Sequence, residues 1–195
     1  MKSVQRKLYL KSNRFEVTPM VTATINDPFF LKWGGVLRVA YYLSDSLALV
    51  ARGALLQTLR SSDVPIANRT FFSRIRNSNP LWYGMGDVEW SPIYGKVAVM
   101  NSIFHFDAFL VGGLGAVYPV TAGLPGRAPS LGVDVGGGLR FVAKDWLAIT
   151  ASVINTSYVD SGPGQTTKGS MQNMLAVNAG VSIFFPFSST GREAE

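Results

Sequence analysis

The chain has 195 residues, of which 15% are charged against a typical ~25%, with 12% aromatics, 20 glycines, no cysteine and a net charge of +6. That length suits one domain able to fold without staples, and the missing cysteine excludes disulfide frameworks and thiolate metal sites. No apolar run approaches the ~18 residues of a membrane-spanning helix; "LALVARGALL", among the longest, is broken by Arg52.

The opening "MKSVQRKLYLKSNRFE" is basic, with Lys2, Arg6, Lys7, Lys11 and Arg14, but has no apolar core segment and no small-residue cleavage site. It therefore reads as no signal peptide, and an exported protein of this sequence would be a mature form with a methionine added. Residues 1–14 are expected to form a periplasmic arm facing anionic headgroups or an envelope partner.

From residue 15 onward the chain alternates with period two, the pattern of strands with unlike faces. In 15–25, Phe15, Val17, Val21 and Ile25 oppose Glu16, Thr18, Met20 and Thr22. In 29–43, Leu31, Trp33, Leu37, Val39 and Tyr41 oppose Lys32, Val36, Arg38, Ala40 and Tyr42. Segment 46–57 sets Leu47, Leu49 and Leu55 against Ala48, Val50 and Arg52, and 81–91 sets Trp82, Val88 and Trp90 against Tyr83, Met85, Asp87 and Glu89. Segment 105–118 opposes Phe106, Leu110 and Leu114 to His105, Asp107, Phe109 and Val111. Then 131–141 puts Leu139 and Phe141 against Asp134 and Arg140, and 146–158 puts Leu147, Ile149 and Val153 against Ala148, Thr150 and Ser152. The last, 172–187, faces Val177, Val181, Phe185 and Phe187 one way and Met174, Asn178 and Ser182 the other. Residues 96–104, "KVAVMNSIF", fit either the lower part of a long fifth strand or, as preferred, a short amphipathic helix.

Connections follow a second rule. Short turns at 43–46 and 142–146, and a connection beginning "SPIYGK" at 91–96, alternate with "NDP" and long polar loops at 58–80, 119–130 and 159–171. Together these predict an all-β fold: an eight-stranded antiparallel up-and-down transmembrane β-barrel over 15–187, with a polar tail at 188–195. A soluble barrel of this pattern would have to pack its bulky Leu, Val, Trp and Phe set into an eight-strand interior and show Gly, Ala and Thr to water. Aromatics also gather at two levels, Phe15, Tyr41, Trp90, Phe141, Trp146, Phe185 and Phe187 at short-turn ends and Phe29, Phe30, Trp82, Tyr118 and Tyr158 at long-loop ends. Two such girdles suit two membrane interfaces.

The stretches "NRFEVTPMVTATINDPF", "WSPIYGK", "HFDAFLVGGLGAVY" and "GGGLRF" resemble small outer-membrane β-barrel proteins of diderm bacteria, and specifically the barrel domain of myxobacteria and their relatives. "VSIFFPF" is similar to the C-terminal aromatic signature read by barrel-assembly machinery, with Phe185 and Phe187 as the signal, although "SSTGREAE" follows it. The resemblance implies an outer-membrane location and, by association of family and organism, a link to gliding-motility complexes. It implies no catalytic residue.

The inward set is expected to form a lumen charge network of Glu16, Lys32, Arg38, Arg52, Asp87, Glu89, His105, Asp107, Asp134 and Arg140, concentrated as a plug toward the short-turn end. The upper lumen around Thr18, Thr22 and Gly84 reads as space filled by loop side chains or, alternatively, as a shallow pocket open to the outside. His105 shares a face with Asp107, a spacing able to orient an imidazole, but an inward position suits a structural role better than a lipid hydrolase on the outer wall. One histidine without cysteine makes zinc improbable, the glycine runs lack the lysine of a phosphate loop, and no cofactor is expected. The loop residues Arg60, Arg69, Phe71, Phe72, Arg74 and Arg76 are candidates to bind lipopolysaccharide phosphates or a partner. Expected partners are outer-membrane lipid, lipopolysaccharide, the assembly machinery and other envelope proteins; nucleic acid is not among them. Three functions follow: a structural or scaffold barrel, a narrow channel for ions or small solutes, and, with least support, a lipid-modifying enzyme.

Overall fold

The computed structural model describes residues 10–27, 30–60, 79–99, 102–120, 129–160 and 170–187. Within them lie eight strands: β1 (Phe15–Thr24), β2 (Phe30–Tyr42), β3 (Leu47–Arg60), β4 (Asn79–Val99), β5 (Ser102–Val120), β6 (Ser130–Lys144), β7 (Leu147–Asp160) and β8 (Ser170–Phe185). Each pairs antiparallel with its sequence neighbours, and β8 pairs with β1 to close the barrel. Closure leaves no sheet edge along the wall, the condition for a sheet to sit in hydrocarbon.

The two faces are the reverse of a water-soluble barrel. Glu16, Thr18, Arg38, Arg52, Asp87, Glu89, Asp134 and Arg140 are buried, while Val21, Leu37, Leu49, Leu55, Leu114, Leu131 and Ile149 stand exposed on the outer wall. Register carries this alternation around the barrel: Pro19, Leu37 and Gly53 form one outward row, Thr18, Arg38 and Arg52 the inward row beside it. Such a wall is a surface for lipid. At the short-turn end, Phe15 packs on Tyr41 with ring centroids 4.7 Å apart, and Trp146 meets Phe187 at 6.2 Å. At the long-loop end Trp82 stacks on Tyr118 at 5.7 Å.

Four expectations are corrected. Residues 96–99 and 102–104 are strand, not helix: β4 and β5 continue as one hairpin through Lys96 opposite His105 to Val99 opposite Ser102. "SPIYGK" is likewise strand; its Pro92 sits at a register shift between Trp90 and Ile93, where a missing N–H breaks no ladder bond. Gly95 serves the same hairpin, since a Cβ there would lie 2.3 Å from the Phe106 ring that crosses it. Phe30 and Tyr158, assigned to the outer girdle, point inward and are buried, because aromatic content alone does not fix the parity of a strand end. Finally, Lys11 and Arg14 do not lie free in an arm but are buried beneath the barrel. Phe29, the loop residues Arg69, Phe71, Phe72, Arg74 and Arg76, and the tail from 188 lie outside the described residues, as does the side chain of Arg60.

The exposed row gives a direct check. Leu37→Arg, on the outer wall at mid-strand, is expected to lower stability by about 2–4 kcal/mol in urea unfolding from lipid vesicles. A loss below about 0.5 kcal/mol would mean that face meets water instead.

Candidate functional site

The lumen is stacked in layers. Nearest the short turns, Ala40, Tyr42, Ala48, Val50, Val142, Ala148 and Phe184 form an apolar floor. Arg14 braces it from below, donating to the carbonyls of Asp145 at 2.9 Å and Pro186 at 2.7 Å while its guanidinium lies over the Phe184 ring. Lys11 reaches through the floor to Asp107, with Nζ 2.5 Å from Oδ2. Burial, reinforced by the like charge of Arg140, pushes the Lys11 pKa down, and Asp107 offsets part of that.

Above the floor sits the network around Arg140, a residue with no exposed surface. Its Nε donates to Glu16 Oε1 at 3.2 Å, Nη1 to Asp107 Oδ2 at 2.8 Å and Nη2 to Glu89 Oε1 at 3.0 Å. Arg38 contacts Glu16 Oε2 at 3.0 Å and pairs with Glu89, and the Tyr42 hydroxyl donates to Glu16 and to Glu89. Three cations, Lys11, Arg38 and Arg140, thus face three carboxylates, Glu16, Glu89 and Asp107. Charge is balanced inside a barrel too narrow to hydrate it. The Phe109 ring supports both guanidinia, 5.0 Å from Arg140 and 5.7 Å from Arg38. Gly138 admits that ring: a Cβ there would meet Phe109 Cζ at 2.6 Å and the Ala151 carbonyl at 2.4 Å.

A hydroxyl ladder runs up from Glu16 through Thr18 at 3.0 Å, Ser182 at 2.9 Å and Thr150 at 2.6 Å. One step higher, Arg52 donates from Nε to Asp87 Oδ2 at 2.9 Å and pairs with Asp134. Here one cation holds two carboxylates, so the trio carries an excess negative charge unless a proton is shared. Between the two networks is a cavity of about 10 Å³, room for roughly one water, lined by Arg38, Arg52, Asp87, Ser152 and Asn178 among others. Above it Met20, Val36, Ala54, Leu56, Tyr83, Met85, Val117, Tyr158 and Met174 form a buried, largely apolar plate across the lumen.

The structure therefore brings together Glu16, Arg38, Glu89, Asp107 and Arg140, and separately Arg52, Asp87 and Asp134. Lys32 is inward but apart, at the long-loop end, paired with Asp27 at 3.4 Å. His105 stacks with Tyr94 at 5.9 Å, and its Nε2 has no hydrogen-bond partner among the described residues. It is not in the network. Residues missed by sequence reasoning are Lys11, Arg14, Tyr42 and Phe109. Tyr42 and Phe109 were legible as inward by parity, but an aromatic carries no sign of charge partnership. Lys11 was hidden because Asn13 adopts a left-handed φ of 59°, which breaks the alternation running back from Glu16. Phe185 ends β8 and Phe187 follows it, both exposed on the outer wall.

No protein-family model and no curated protein matches the chain. Among solved structures it is similar to the N-terminal β-barrel domain of Pseudomonas aeruginosa OprF, at 13% identity over 89% of this chain and 98% of that one, with a TM-score of 0.55. Ail, the attachment invasion locus protein of Yersinia pestis, matches at 12% identity over 89% and 99%, with a TM-score of 0.45. At 13% identity the likeness to the OprF domain is one of fold: a small closed eight-stranded barrel.

The Arg52 trio yields the cleanest energetic test. Arg52→Met strands two buried carboxylates and is expected to cost about 3–5 kcal/mol in unfolding from lipid. Adding Asp87→Asn and Asp134→Asn should restore most of that loss. Simple additivity of the three changes would dissolve the network.

Proposed function

We propose that the protein is an outer-membrane barrel that works as a closed structural post of the cell envelope, with its short-turn end in the periplasm and its long loops outside. The observation carrying this reading is the filled lumen: floor, charge layers and apolar plate follow one another along the barrel, built from buried side chains. A conducting barrel needs polar, hydrated walls at every level, and the Met20 to Met174 plate narrows the polar wall at its level to Thr22, Thr24, Thr156 and two tyrosines, all buried. The lipid-facing wall, the two aromatic levels and the short-turn, long-loop asymmetry support the outer membrane. No catalytic assignment accompanies the post, since His105 stacks on Tyr94 in place of orienting a nucleophile.

As a post, the molecule acts through what it presents on either side. Outside, the arginines and phenylalanines of 60–76 suit lipopolysaccharide phosphates. The resemblance to barrel domains of myxobacteria and their relatives fits a scaffold of this kind, a motility complex being one setting for it. Phe185 and Phe187 fit the signal for barrel-assembly machinery.

Single-channel recording in a planar bilayer tests this, using protein that shows heat-modifiable gel migration. The membrane is expected to stay silent. Steady, salt-dependent openings from the folded protein would replace the post with the narrow-channel reading.

A further inference from the structure

Arg52 stands between two carboxylates and can neutralise only one of them. Its Nε donates to Asp87 Oδ2 at 2.9 Å and its Nη2 pairs with Asp134 Oδ2, so neighbouring arms of one guanidinium hold both side chains. Both aspartate side chains are fully enclosed. Register explains how they come together. Asp87 on β4 is the ladder partner of Gly113 on β5, and Gly113 is in turn the partner of Asp134 on β6. A Cβ at Gly113 would lie 2.3 Å from Asp87 Oδ1, so the missing side chain leaves the gap across which the two aspartates come within hydrogen-bonding reach of each other.

The oxygens left over are the informative atoms. Arg52 takes the Oδ2 of each aspartate, and neither Oδ1 has a hydrogen-bond donor among the described residues. Two enclosed carboxylates this close repel each other unless a hydrogen stands between them. No second cation among the described residues supplies the missing charge. Arg38, which lines the small cavity beside Asp87, is matched to Glu16 and Glu89 in the layer below. Tyr83 on β4 also acts on the trio, but a phenol brings no positive charge. The remaining strands present Met20, Val111, Thr156 and Asn178 near this level, and none of these titrates.

We propose that Asp87 and Asp134 share one proton across Gly113, which makes the Arg52 trio neutral and gives the barrel a pH-sensitive layer. One carboxyl becomes the acid and its O–H donates to the Oδ1 of the other, while Arg52 keeps both Oδ2 atoms. The proton comes from solvent when the barrel closes and returns there when it unfolds. Aspartates of the unfolded chain ionise near pH ~4, so above that value folding takes up a proton and stability falls as pH rises. While the proton stays bound, the folding constant drops about tenfold per pH unit on this account. The proposal stands whether the barrel is a post or a channel.

Infrared difference spectra of the protein folded in lipid vesicles, recorded as pH is raised from about 5.5, test it directly. The carbonyl band of a protonated carboxylic acid is expected at the start, moved by exchange into deuterium oxide, and missing from both Asp87→Asn and Asp134→Asn. If one variant fails to fold, the other still assigns the band. Urea unfolding over the same range gives a second readout. The wild-type folding constant is expected to lose about tenfold more per pH unit than that of Asp134→Asn, whose amide N–H replaces the shared proton at every pH. No acid band in the wild-type protein, a band that survives in both variants, or equal pH slopes would each overturn the proposal. Stabilisation by added sodium ion without an acid band would also overturn it, and would give the gap to a small cation.

Discussion

A guanidinium enclosed in a narrow sheet has to be neutralised where it stands. Arg140, without exposed surface, spends its Nε, Nη1 and Nη2 on Glu16, Asp107 and Glu89, residues from β1, β5 and β4. Since each partner comes from a different strand, the network sets the separation of the walls it joins. Phe109 lies where both guanidinia can rest on it, and Gly138 has no side chain because that ring needs the space. Lys11 enters from below to complete the balance of charge. Ion pairs of this kind add little net stability over apolar filling, yet punish loss of a single partner heavily. Their consequence here is an interior whose lower charges stand paired across strands.

Much of this could be read before any coordinates. Strict period-two alternation from Phe15 to Phe187, with no charge on the apolar face, gives strand number, closure and the inward set together, because parity in a sheet leaves each residue only two directions. Arg38, Arg52, Asp87, Glu89, Asp134 and Arg140 were all found in this way. Parity gives direction but not height, so Lys32 joined the inward list although it sits at the far end with Asp27. It also fails at irregularities. Asn13 resets the alternation and turns Lys11 inward, and the register shift at Pro92 made a continuing strand look like a turn. Phe30 and Tyr158 show the limit of composition: an aromatic at a strand end serves a membrane interface or a lumen plate equally well.

The two ends of the barrel are built for different work. The far end carries the apolar plate and the Lys32–Asp27 pair, whereas the short-turn end is tied by Arg14, Asp45 and Lys11 and extended by the β4–β5 hairpin. Most small barrels of this design need only tight turns on that side.

The central claim is that the interior is sealed from water on both sides. Ser152, 5% exposed beside the small cavity between the charge layers, is the residue to ask. Ser152→Cys in this cysteine-free chain, folded in lipid vesicles and treated with a charged thiol reagent, should label only after unfolding, while Ser12→Cys on the exposed surface labels at once. Labelling of Cys at position 152 in the folded barrel at a rate near that of position 12 would mean an open, hydrated lumen and would contradict the account.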